Sequence, residues 1–193
     1  MNRRPFLTGL TGLLGLVLAS PARPQQQPDS AALLARQRDA MKALMHLDGT
    51  WRGSAKIHLP GGVKDLVQTE RVGPMLDGSI RVIEGRSYNA DGRTEFNAFA
   101  VLRFDVASGR YRISTNALGH AGEFDLEPRP DGFVWRVVSG PVTIRHSAVV
   151  KDGRWDELSE RLMDGQPPVK LAELSLRRLG DTDWPAAGAV PAR

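Results

Sequence analysis

The sequence predicts an all-β protein, an antiparallel up-and-down β-barrel of about ten strands preceded by one amphipathic helix. Three observations carry that reading. From Gly49 onward, apolar and polar residues alternate with the period of two that a half-buried strand requires, first as Trp51, Gly53, Ala55 and Ile57 against Arg52, Ser54, Lys56 and His58. Turn signals recur at short intervals: Pro60-Gly61-Gly62, Leu76-Asp77-Gly78, Asn89-Ala90-Asp91-Gly92, Ala107-Ser108-Gly109, Pro130-Asp131-Gly132, Asp152-Gly153 and Asp164-Gly165. Each offers a Gly or an Asx residue where positive φ is wanted. No helical stretch separates the strands, which excludes parallel βαβ units. A sandwich of two sheets is the alternative, but closure removes the exposed edges that so many consecutive hairpins would otherwise have to protect.

Residues 1–22 read as a signal peptide: Arg3 and Arg4, an apolar run from Phe6 to Ala19, then Ser20-Pro21-Ala22 as a small-residue cleavage site. Arg3-Arg4-Pro5-Phe6-Leu7 also fits a twin-arginine signal, and either route gives a periplasmic or secreted protein. Residues 23–48 hold a polar linker and the helix. Asp29 or Ser30 caps it, and it runs to about Met45, with Leu33, Leu34, Met41, Leu44 and Met45 on one side. That helix is expected to pack on a barrel end or wall. The barrel occupies 49–179, with strands at about 50–58, 63–72, 79–87, 94–105, 110–116, 122–127, 133–138, 142–151, 154–163 and 170–178. An Ala-, Gly- and Pro-rich tail, expected to be disordered, fills 180–193.

Composition narrows the function classes. The formal charge is +4, and it becomes +2 without residues 1–22, whose Arg3 and Arg4 leave 24 basic against 22 acidic residues. The basic residues are spread along the strands, so nucleic acid is not expected as a partner. The absence of cysteine excludes disulfides, thiolate metal sites, a Cys nucleophile and a lipid-modified N-terminal Cys. The four histidines lack the close spacings of metal ligands, and no GxSxG, HExxH or phosphate-cradling loop is present.

The order of Leu47-Asp48-Gly49-Thr50-Trp51-Arg52-Gly53, Gln68-Thr69-Glu70-Arg71-Val72, Leu76-Asp77-Gly78, Glu84-Gly85-Arg86, Asp105-Val106-Ala107-Ser108-Gly109-Arg110-Tyr111 and Gly132-Phe133-Val134-Trp135 resembles a family of small bacterial lipocalin-like barrels of undefined function. The likeness spans roughly residues 40–179 and implies a calycin-type barrel. More distantly, the Gly-Thr-Trp-x-Gly opening is similar to that of the nitrobindin group, ten-stranded barrels that bind haem through a histidine near the last strand. Lys170 stands where that histidine would be expected, so haem is not carried over and no cofactor is expected.

A barrel of this kind is expected to bind a small hydrophobic or amphipathic molecule in its lumen, without catalysis and without stable membrane insertion after signal cleavage. The expected ligand-binding residues are Trp51, Phe96, Phe99, Trp135 and His146, with Glu84 and Arg86 as polar handles. His146 shares a face with Val142, Ile144, Ala148 and Val150, where it could serve as ligand or base. Phe96, Ala98, Ala100, Leu102 and Phe104 form the clearest inward row; Ala98 and Ala100 leave lumen space unless Trp135 or Tyr111 fills it. Consecutive strand residues face opposite sides, so of the charged residues in Glu70-Arg71 and Glu160-Arg161, and of Glu157 and Arg161, which can share a face, most but not all are expected outside. Two alternatives stay open: a packed barrel acting as a structural or interaction module of the cell envelope, and a hydrolase or isomerase using lumen acids or His146.

Overall fold

A computed structural model describes residues 29–184; residues 1–28, with the expected signal peptide, and residues 185–193 of the tail lie outside that range. Ten antiparallel strands run as β1 (Gly49–Leu59), β2 (Gly62–Met75), β3 (Ile80–Tyr88), β4 (Thr94–Asp105), β5 (Arg110–Ala117), β6 (His120–Arg129), β7 (Gly132–Ser139), β8 (Val142–Lys151), β9 (Arg154–Met163) and β10 (Val169–Gly180). Each pairs with its neighbour in sequence, and β1 pairs with β10, so the barrel closes. Every expected strand is present, most of them one to three residues longer at an end. Two hairpin turns are not among the expected turn signals. Leu118 and Gly119 join β5 to β6 with φ of +52° and +79°, an unusual conformation for an apolar side chain. Gly140 and Pro141 join β7 to β8.

The helix differs from expectation in a way that sets the height of the core. α1 (Ser30–Met41) starts at Asp29, whose side chain accepts the Ala31 amide at 3.0 Å. From Lys42 to Leu47 the chain tightens into a 3-10 helix. Side chains three apart eclipse in that geometry, so Met41, Leu44 and Leu47 stack on one side and point together into one end of the barrel, fully buried. Leu34 and Met45, expected on the packing face, are exposed instead: the inward stripe of α1 runs through Leu33, Gln37, Ala40 and Met41, and it does not continue as an α-helical stripe through the 3-10 turn that carries Met45.

This plug fills one half of the barrel. Against it pack Trp51, Val72, Leu102, Ile113, Leu126, Phe133, Val150, Trp155 and Leu176. Trp155 meets Trp51 and Phe133 edge-on at centroid distances of 5.7 and 5.9 Å. Three polar contacts fasten the plug. The Trp51 indole donates to Leu47 O at 3.0 Å, the Tyr111 hydroxyl donates to Ala40 O at 2.8 Å, and Arg81 grips the plug from below. Arg81 Nε and Nη2 reach the two carboxylate oxygens of Asp48 at 2.8 and 3.2 Å, while its Nη1 donates to Met41 O at 2.6 Å. After β10, Trp184 lies on the outer wall, edge-on to Phe99 and beneath the Arg71 guanidinium.

Arg81 is 5% exposed at the side chain and Asp48 is 24% exposed, so breaking the pair strands a charge in a poorly hydrated place. Arg81→Ala is expected to cost about 3 kcal/mol in urea unfolding, the lower end of the range for a broken buried pair. Arg81→Lys, which loses the fork, recovers only part of that.

Candidate functional site

The half of the barrel above the plug is not filled. The register explains why: above Trp51, β1 presents Gly53, Ala55, Ile57 and Leu59 to the lumen, β4 presents Ala98, and β10 presents Ala172, so small residues replace the large rings of the floor. The resulting cavity has a volume of about 660 Å³ and opens at the end bearing the β1–β2, β3–β4, β5–β6, β7–β8 and β9–β10 turns. Its upper wall is apolar, formed by Ile57, Leu59, Phe96, Leu118, Ile144 and Leu171. Lys64 and Glu95 pair across its mouth.

Two polar rows cross the lumen at its deeper levels. On one side Gln68, Ser87 and Phe96 are register partners across β2, β3 and β4. Ser87 Oγ donates to Gln68 Oε1, and Gln68 Nε2 donates to Glu70 Oε1 at 2.6 Å. On the other side Trp135, His146 and Ser159 are register partners across β7, β8 and β9. The His146 ring stacks on Trp135 at a centroid distance of 4.0 Å and an angle of 8°, and its Nδ1 lies 2.8 Å from Ser159 Oγ. One step deeper on β9, Glu157 Oε2 accepts the Trp155 indole N–H at 3.1 Å.

These groups titrate far from their ordinary values. Burial raises Glu70 from 4.5 to about 8, against the Gln68 hydrogen bond and with help from the charges of Glu157 and Glu84. Burial likewise raises Glu157 to about 7, and it lowers His146 from 6.5 to about 4. At neutral pH the lumen therefore holds a neutral imidazole and two carboxyl groups that are largely or half protonated. Glu70 owes its place to Gly85, its partner on β3: a Cβ at Gly85 would sit 2.8 Å from both Glu70 carboxylate oxygens. A nucleophilic relay needs a hydroxyl on one imidazole nitrogen and an acid on the other. Here Ser159 Oγ and Glu157 Oε1, at 3.9 Å, both approach Nδ1, so these three residues do not form one.

Of the seven residues expected to bind a ligand, Phe96, Trp135 and His146 line the cavity. Trp51 faces inward but belongs to the packed floor, because the plug rises to its level. Glu84, Arg86 and Phe99 lie on the outer wall, which corrects their placement in the lumen. The inner residues of β3 are Arg81, Ile83, Gly85 and Ser87, so Glu84 and Arg86 point out and pair with each other. Phe99 follows Ala98 on β4 and shares with Glu84 a shallow outer hollow of about 420 Å³. Glu70 and Glu157, which belong to the charged strand residues expected mostly outside, both point inward, and Gln68, Ser87 and Ser159 carry no expectation. A signal for Glu70 exists: Leu66, Gln68, Glu70 and Val72 place two polar residues between two apolar ones on a single face. Lys170 lies apart from the cavity, bonded to Glu173 at 3.0 Å.

Two measurements check this arrangement. Gly85→Ala is expected to cost about 1–3 kcal/mol by forcing the Glu70 carboxyl aside, and most of that cost should vanish in a Glu70→Ala background. The pH dependence follows from the raised acids. Between their unfolded value of 4.5 and their folded values, the unfolded chain has released protons that the folded chain keeps, so stability falls as pH rises. His146, together with His46, acts in the opposite sense but only below 6.5. The midpoint of unfolding should therefore decline from pH 6.5 to 8, and Glu70→Gln should flatten the decline.

No protein-family model matches the chain, and no curated protein sequence matches it. Among solved structures, the crystal structure of Rv2717c from M. tuberculosis matches with a TM-score of 0.55 at 14% identity, over 72% of this chain and 96% of that one. At that identity the likeness is one of fold, a closed antiparallel barrel.

Proposed function

We propose that this protein is an exported, calycin-type barrel, periplasmic or secreted, whose lumen binds a small, partly apolar molecule without transforming it. The observation that supports the reading is the half-filled barrel. A cavity of about 660 Å³ falls in the size range of small-molecule sites and combines apolar walls with a few converging polar groups. A packed interaction module would have no reason to keep that space, because an empty apolar cavity costs stability in proportion to its volume. The signal-like residues 1–22 support export.

The neutral fluorescent probe N-phenyl-1-naphthylamine tests the reading. It is expected to bind the full chain saturably at one site, with a blue-shifted, enhanced emission. Ala172→Phe, which fills the lumen from β10, should abolish that binding while leaving the thermal transition intact. Absence of saturable binding, or binding unchanged by the filled lumen, would overturn the lumen as a ligand site.

A further inference from the structure

Both deep carboxyl groups of the cavity are half satisfied. Glu70 Oε1 accepts from Gln68, and Oε2 has no donor among the described residues. Glu157 Oε2 accepts from Trp155, while Oε1 has no hydrogen-bond donor among the described residues and lies 3.9 Å from His146 Nδ1. The donors they do have are neutral. Buried acids ordinarily find a cation, and this chain has 26 Lys and Arg to supply one. On the strand beside Glu70, Arg71 instead turns outward to Asp183 and Trp184, and Arg86 on β3 turns outward to Glu84. Lys64 is the one Lys or Arg among the lining residues, and it is held at the mouth by Glu95. The deep lumen thus offers two acceptors with unused lone pairs and no countercharge.

Their depth gives the ligand a direction. Glu70 is the register partner of Trp51, at the level of the packed floor. Glu157 partners Leu174 and Ala148, also next to the floor. Ile57, Leu59 and Leu171 lie farther along the same strands, towards the mouth. With Lys64 and Glu95 already paired at the mouth, the unused polar acceptors lie at the floor, so a molecule with one polar and one apolar end is best matched with its polar end down. No three His, Asp or Glu side chains among the described residues converge as metal ligands would, which points to an organic cation over a metal ion.

We propose that the lumen's ligand is an amphipathic amine, its ammonium group held at the floor between Glu70 and Glu157 and its apolar part filling the cavity towards the mouth. The proposal rests on the lumen-binding reading above and specifies its chemistry. An ammonium donates up to three hydrogen bonds to the unused oxygens at the floor, where the charge of Glu157 is already felt at Glu70, and it supplies the charge that lets at least one of the acids ionise in an apolar surrounding. The other titratable groups lining the cavity, His146, Lys64 and Glu95, would leave that charge balance unaltered: the imidazole is neutral and the other two are paired. Because Glu70 is held protonated above neutrality in the empty barrel, taking up the ammonium displaces a proton.

Titration calorimetry of the full chain at pH 7 with decylamine, decanol and decanoate tests this. Decylamine should bind at least about 10-fold more tightly than decanol, the contribution of one charge-assisted hydrogen bond, and decanoate most weakly. In buffers of different ionisation enthalpy, its binding at pH 6 should release about one proton. The Glu70→Gln, Glu157→Gln double variant should keep decanol binding and lose the preference for the amine. Decanol or decanoate binding as well as decylamine overturns the amine assignment and leaves the lumen site standing. Failure of all three to bind overturns both. The comparison within the unaltered protein decides the matter even where the double variant does not fold.

Discussion

One guanidinium under the floor of the barrel determines where the protein is solid and where it is hollow. Arg81 points inward from β3, takes both oxygens of Asp48 and the carbonyl of Met41, and so ties the last turn of α1 and the end of the 3-10 helix to the sheet. Between those two anchors Leu44 is pressed into the barrel with Met41 and Leu47. A barrel of ten strands encloses more space than its own side chains fill when many of them are Gly and Ala, and here three plug residues and two tryptophans fill only the lower part. The height of the plug is therefore the height of the cavity floor.

Placing two acids at that floor is unfavourable for the empty protein. A carboxylate in an apolar cavity must find a cation or keep its proton, and Glu70 and Glu157 keep theirs into the neutral range. Gln68, Ser87 and Trp155 hold the two groups in fixed positions, and Gly85 gives up a side chain to make room for one of them. The opposite wall repeats the pattern with a neutral histidine stacked on Trp135 and bonded to Ser159. Such an arrangement weakens the empty fold, and on the proposed reading it preorganises a polar end for the ligand.

Much of the architecture is legible in the sequence, because β-hairpins write themselves in alternation and in Asx-Gly turns. Trp51-Gly53-Ala55-Ile57 and Phe96-Ala98-Ala100-Leu102 each have one apolar face, and both point inward. The site is less legible for three physical reasons. β3 reads Ile80-Arg81-Val82-Ile83-Glu84-Gly85-Arg86-Ser87, with apolar residues on both faces, so its period does not say which side is inner; only the fit of Gly85 over Glu70 decides it. Phe99 cannot share the lumen with Phe96, since residues an odd number apart on a regular strand face opposite ways. Trp51 does face in, but a 3-10 turn three residues long in its repeat is invisible to a search for helical stripes, and so is the floor it builds.

The most direct test of this half-filled barrel is the protonation of its floor. Carbon-13 NMR of the side-chain carboxyl groups, with Glu70 and Glu157 assigned from their Gln variants, reads both acids in the unliganded protein. A floor shielded by the seated plug and the apolar walls predicts midpoints raised well above the ordinary value, to about 8 for Glu70 and about 7 for Glu157. Midpoints near the ordinary 4.5 for both would mean that water reaches the floor freely, and would contradict the plugged barrel with an enclosed polar end.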